Sequence, residues 1–194
     1  MGLVPPAGLQ TPYDWSRDGR LVLYSTGQNV WILPVTPGGN PEPEAKPKVY
    51  LERRFNLTGV RFSPVPNPKW VAYYSNESGR YEVYVQTFPE PHGAVRVSTG
   101  GGRWPEWGPD GRELFYVSAD NKLMSASFGP GGALDSSAPR ELFALPNGDN
   151  QFSPYDVTSD GQRFLVRTPA EQANRSLTVI INWPDLLKRG AEPP

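Results

Sequence analysis

The chain has 194 residues, 37% hydrophobic and 12% aromatic, with 20 Gly and 23 Pro. That is enough apolar material for a packed core, and Gly and Pro are too dense for long helices. A net charge of −1, from 19 basic and 20 acidic residues without a long like-charged run, argues against a nucleic-acid footprint or a polybasic membrane patch; the absence of Cys excludes disulfides and thiolate metal sites.

No apolar run reaches the ~18–20 residues of a membrane span. The opening "MGLVPPAGLQ" has neither a basic start nor a long apolar core, so it does not read as a secretory signal. From Pro12 onward, short apolar strands alternate with turns rich in Ser, Pro, Asp and Gly. The first stretch gives "PYDWS", "RLVLYS", "NVWILPV" and "PKVYLE". The second gives "TGVRFS", "WVAYYS", "YEVYVQTF" and "AVRVST". The third gives "WPEWG", "ELFYVS", "KLMSASF" and "RELFAL", and the fourth "PYDVTS", "RFLVRT" and "LTVIINW". Tight loops such as "NESGR" and "ADNK" join second strands to third strands. "NGDN", from Asn147, lacks the length and closing Glu of an EF-hand loop and reads as a turn. "WPDLLKR", from Trp183, reads as a short helical turn.

These stretches are copies of one unit. "WSRDGRLVLYST" from Trp15, "FSPVPNPKWVAYYS" from Phe62, "WGPDGRELFYVS" from Trp107 and "VTSDGQRFLVRT" from Val157 recur with a mean period of roughly 47 residues, the spacing of propeller blades. Asp18, Asp110 and Asp160 each precede a glycine. Asp bonds nearby backbone and Gly accepts positive φ, so these are turn residues and not metal ligands. The predicted fold is all-β, a β-propeller of about four blades of four antiparallel strands, forming a partial or half propeller. It is a single domain over 1–194, with blades at roughly 12–52, 56–99, 102–145 and 152–187. The fourth blade is one strand short, and the N-terminal segment around Leu9–Thr11 is expected to complete it and remove an open edge. The run Gly100–Gly102 in "STGGGRWPEW" marks the crossover from one repeat to the next. A phosphate loop would need a helix or a placed Lys after it, and "RWPEW" is strand-like.

"PYDWSRDGR", "RFSPV", "WPEWGPDGRELFY" and "SPYDVTSDGQRFLV" resemble TolB-like β-propeller repeats. "YVQTFPEP", "VSTGGG", "ELFYVSADNKLMS" and "LTVIINW" are similar to the C-terminal propeller segments of bacterial serine/threonine kinases. The resemblance covers nearly the whole chain. It implies a propeller with a sensing or protein-binding role, favours an extracytoplasmic or extracellular location, and implies no catalytic residue. Such propellers usually have more blades, and the chain carries neither "HRD" nor "DFG".

The repeat places Asp14, Arg61, Glu106 and Asp156 at one position, immediately before Trp15, Phe62, Trp107 and Val157. Period-2 alternation sends the two sets to opposite faces. Partly buried charges near the axis need partners, and Arg61 can pair with a carboxylate on either side. One reading is an inter-blade pairing network. The other is a channel mouth that binds a cation or a basic peptide, with Arg103 and Trp104 as anchors at its rim. The single histidine, His92, reads as an exposed loop residue, and no "GxSxG" elbow occurs. No catalytic residue, metal site or cofactor is expected. The expected function is a non-catalytic scaffold for protein–protein interaction and self-assembly. The alternative is a sensor domain that binds a small ligand or peptide in the axial channel, in a kinase-linked signalling protein. Four blades leave two apolar end faces, which a homodimer or a filament would cover. The bulk of Trp15, Phe62 and Trp107 on the inner strands is expected to disfavour a tight four-bladed ring.

Overall fold

A computed structural model describes residues 9–26, 29–43, 45–52, 54–129, 138–146 and 152–168, together with the backbone of 178–181. The described residues hold four antiparallel sheets and no helix. The first sheet comprises β1 (Gln10–Trp15), β2 (Leu21–Thr26), β3 (Asn29–Pro34) and β4 (Lys48–Leu51). The second comprises β5 (Leu57–Phe62), β6 (Trp70–Ser75), β7 (Glu82–Thr87) and β8 (Val95–Arg96). The third comprises β9 (Gly102–Trp107), β10 (Glu113–Ser118), β11 (Lys122–Ser127) and β12 (Arg140–Ala144). The fourth comprises β13 (Tyr155–Val157), β14 (Arg163–Val166) and β15 (Thr178–Ile181). In every sheet each strand pairs with the next in sequence, as in a propeller blade.

The core lies between the sheets. Side chains alternate across each strand, so every sheet offers one apolar set to the sheet before it and one to the sheet after it. Leu23 and Val30 of the first sheet meet Phe62, Val71 and Tyr73 of the second. Ala72, Val83 and Val85, from the opposite face of the second sheet, meet Trp107, Leu114 and Tyr116 of the third. Phe115, Val117 and Leu123 of the third meet Tyr155, Phe164 and Val166 of the fourth. Phe115 and Phe164 contact edge to face at 5.0 Å between centroids.

Two expectations change. Gln10 and Thr11 pair with Thr26 and Ser25, so they extend β1 of the first sheet and do not form a fourth strand for the last. Phe62 and Trp107 pack into the apolar joints between sheets and also line the central cavity, so their bulk fills joints while leaving that cavity open. Asn147–Asn150 and the stretch from Trp183 lie outside the described residues. No helix among the described residues is long and apolar enough to cross a membrane.

The Asp-Gly turns have the expected chemistry. Asp18 Oδ1 accepts from Ser16 Oγ at 2.6 Å and from Arg20 N at 3.1 Å. Asp110 Oδ1 accepts from Arg112 N, and Asp160 Oδ1 from Gln162 N, both at 2.9 Å.

The glycine run is indeed a crossover, from β8 to β9, but it also holds a buried carboxyl group of the protein's own. Glu82 is 1% exposed. Gly101 N donates to both of its carboxylate oxygens at 3.0 Å, Ser98 Oγ donates to Oε2, and Arg80 Nε lies 3.6 Å from Oε1. Only glycine suits position 101: its φ is +101°, and a Cβ would lie 2.7 Å from that of Ala119. Glu82→Ala would leave the Gly101 N–H and the Ser98 hydroxyl without their buried acceptor, at a cost of roughly 1–3 kcal/mol. Urea unfolding should show this loss, and an unchanged stability would contradict the role given to Glu82.

Candidate functional site

The four charges of the inner strands do come together. Each sits one residue before the joint-filling position and so on the opposite face of its strand, and Asp14 and Arg61 reach the following sheet. Asp14 Oδ1 accepts from Trp15 N, and its Oδ2 crosses to accept from Phe62 N of the second sheet, both at 2.8 Å. Arg61 crosses to the third sheet: its Nε lies 2.8 Å and its Nη2 2.7 Å from Glu106 Oε1. Arg61 Nη1 also donates back to the Tyr13 carbonyl at 2.5 Å. Asp156 Oδ1 accepts from Val157 N at 2.8 Å, and Asp156 has no ion pair among the described residues. Arg61 and Glu106 are thus ion-paired across one joint, Asp14 is bonded to backbone across another, and Asp156 is exposed.

These groups line a cavity of about 390 Å³ that draws on all four sheets. Trp107 and Arg17 line it as well. Arg17 was not singled out from the sequence. Its Nη1 donates to the Pro109 carbonyl at 2.9 Å and lies 3.3 Å from that of Pro64, so one guanidinium ties the first turn to the turns of the second and third sheets. The signal for it was visible: arginine stands in "SRDG" where the second and third repeats carry Pro64 and Pro109.

Arg103 and Trp104 do not line this cavity. They sit toward the other end of β9. The Arg103 guanidinium stacks over the Tyr81 ring at 4.5 Å, and Trp104 packs against Tyr74 with centroids 6.2 Å apart. Trp104 has φ +52° in the bulge of β9, the position that Gly59 fills in β5 at φ +62°. Its carbonyl accepts from the hydroxyl of the buried Tyr155 at 2.8 Å. His92 is exposed in its loop. Among the described residues no group of three or more His, Cys, Asp or Glu is placed to hold a metal ion.

Burial sets the proton affinities here. Desolvation raises both the Asp14 and the Glu106 carboxyls above their ordinary range, although the Phe62 N–H and Arg61 lower the first and Arg61 lowers the second. For Arg61 burial works against the charge, but Glu106 and Asp14 together outweigh it and the guanidinium is held more firmly than usual. Burial also drives the Tyr155 phenol well above its ordinary range.

Because Asp14 and Glu106 bind a proton more readily in the fold than in the unfolded chain, the native state carries more protons just above their ordinary values of 3.8 and 4.5. Stability therefore falls as pH rises through that window. Asp18 has the opposite sign: its bond from Ser16 lowers it, so its contribution is lost as pH falls through its depressed value. An Asp14→Asn/Glu106→Gln double variant should show a flatter melting-temperature profile than the parent as pH rises above these ordinary values. Parallel profiles would contradict the burial argument.

No protein-family model matches the chain, and no curated protein matches it. Solved structures do. TolB from Acinetobacter baumannii superposes with a TM-score of 0.60 at 14% identity, over 93% of this chain and 43% of that one. An oligogalacturonate lyase in complex with manganese gives 0.57 at 16% identity, over 84% and 40%. The Cps50 (Swd1) β-propeller domain of Myceliophteria thermophila gives 0.54 at 12%, over 89% and 55%. The chain thus spans less than two thirds of the length of each of these proteins. At such identities the likeness is one of fold, and the proteins that share it include both TolB and a lyase. With four successive four-stranded or three-stranded meanders packed face to face around charged inner strands, the chain is a partial β-propeller of TolB-like fold.

Proposed function

We propose that this chain is a non-catalytic scaffold that binds protein through the faces of its end sheets, and that its first partner is another copy of itself. One observation carries the reading. Trp15 is 50% exposed, whereas its counterparts Phe62 and Trp107, each covered by the preceding sheet, are 4% and 7% exposed. Around it on the same outward face stand Val22, Trp31 and Leu33, half-buried, and Val49, exposed. At the other end of the row Leu165 is exposed beside Asp156, while Phe164 and Val166 are buried against the third sheet.

Covering such a face is favourable. At ~25 cal/mol per Å², on the order of 400 Å² of apolar area contributes roughly 10 kcal/mol before the cost of association. A patch of that size is on the scale of the largest on a typical monomer, which is often a functional surface. An extracytoplasmic setting and a kinase-linked parent fit this reading, but neither is needed for it.

A second reading rests on the axial cavity. Two of its carboxyls are held above their ordinary range by burial, and Asp156 lacks an ion pair among the described residues. A lysine or arginine side chain entering there would meet unspent negative charge, which makes the cavity the place for a sensor's basic peptide.

Light scattering at micromolar concentration should return about twice the 21.5 kDa chain mass or more. Trp15→Ser should shift the species toward the single-chain mass with little change in melting temperature. A monodisperse parent of single-chain mass that stays folded on dilution would end the scaffold reading.

A further inference from the structure

The joints between sheets follow one pattern, and the two ends of the row carry its two unmatched halves. In the second and third joints the preceding sheet offers a turn proline, and the following sheet receives it over the glycine of its own turn. Pro64 Cδ lies 3.5 Å from where a Cβ on Gly111 would stand, and Pro109 Cδ lies 2.8 Å from the same point on Gly161. The preceding sheet also offers its inner-strand charge: Asp14 reaches Phe62 N, and Arg61 reaches Glu106. The following sheet supplies the aromatic that fills the joint, Phe62 or Trp107.

The fourth sheet holds the offering half without a receiver. Ser159 stands where Pro64 and Pro109 stand, and it is exposed. Asp156 stands where Asp14 stands and reaches no following sheet among the described residues. Leu165 is exposed on the same face. The first sheet holds the receiving half without an offer. Among the described residues nothing lies within 4 Å of a Cβ placed on Gly19. Trp15, the joint-filling residue, is exposed.

Resting on the scaffold reading above, we infer that two copies join head to tail, the fourth sheet of each docking on the first sheet of the other, to close an eight-bladed ring. The contact is heterologous: Ser159, Asp156 and Leu165 of one copy lie over Gly19 and Trp15 of the other. It continues the turn-over-glycine contact already built twice within the chain, which favours a second copy over an unrelated partner. Heterologous contacts close when the rotation allows and run on as filaments when it does not. Two chains of four sheets, joined at both ends, make a ring of eight.

The chain has no cysteine, so introduced thiols report cleanly. Ser159→Cys and Arg20→Cys are made in separate chains. A bismaleimide reagent is used, the shortest that joins Pro109→Cys to Gln162→Cys within one chain, because those residues occupy the same two turn positions in the third joint. Head-to-tail docking predicts crosslinked pairs from the mixture and none from either variant alone. It also predicts that a chain bearing both substitutions stops at two chains. Self-linking of Arg20→Cys alone, or association without any crosslink, overturns the head-to-tail contact and leaves the scaffold reading standing. A ladder of higher products overturns the closed ring. Failure of the unmodified chain to associate at all overturns both this inference and the scaffold reading.

Discussion

A sheet with two apolar faces needs a neighbour on each. That constraint organises this molecule. Three joints satisfy it inside the chain, and each is built in the same way, with a large residue of the following sheet set against the apolar face of the preceding one. The polar chemistry is fitted around these joints. Asp14 and the Arg61–Glu106 pair cross from sheet to sheet at the inner strands, and Arg17 ties three turns together at the same end. The ends of the row break the pattern, and the exposure of Trp15 measures the break.

The electrostatics follow from the packing. Setting charges one residue before a joint-filling aromatic draws them out of water whether or not they have partners. Arg61 and Glu106 offset part of that loss by pairing at 2.7 Å. Asp14 does so through backbone N–H groups. The residual desolvation leaves a cavity where Asp14 and Glu106 hold protons more tightly than usual, beside the exposed Asp156. Buried Glu82 solves the same problem differently, by accepting hydrogen bonds from a glycine amide and a serine hydroxyl.

Much of this was legible in the sequence because local and global signals agree. Period-2 alternation and the recurring Asp-Gly turn marked the strands, and the repeat aligned Asp14, Arg61, Glu106 and Asp156 before any coordinates were needed. What was not legible depends on direction and distance. Alignment cannot say whether Trp107 points at the axis or into a joint. Gln10 and Thr11 carry no mark that assigns them to the first sheet rather than the last. Arg103 and Trp104 are adjacent to Pro105 in sequence, but the bulge at Trp104 turns them toward Tyr81 and Tyr74. Glu82 and Gly101 are 19 residues apart, and nothing in either local motif announces that one holds the other.

The central claim is that the outward faces of the first and fourth sheets are covered in the assembled protein. Hydrogen exchange followed by mass spectrometry, at protein concentrations above and below the association midpoint, tests it directly. Amides of the β1–β2 turn and of β14 should slow on association, while those of the Trp107–Glu113 turn, already locked inside the chain, should not change. Equal protection of all three at both concentrations, or protection confined to elements away from the end sheets, would contradict the account.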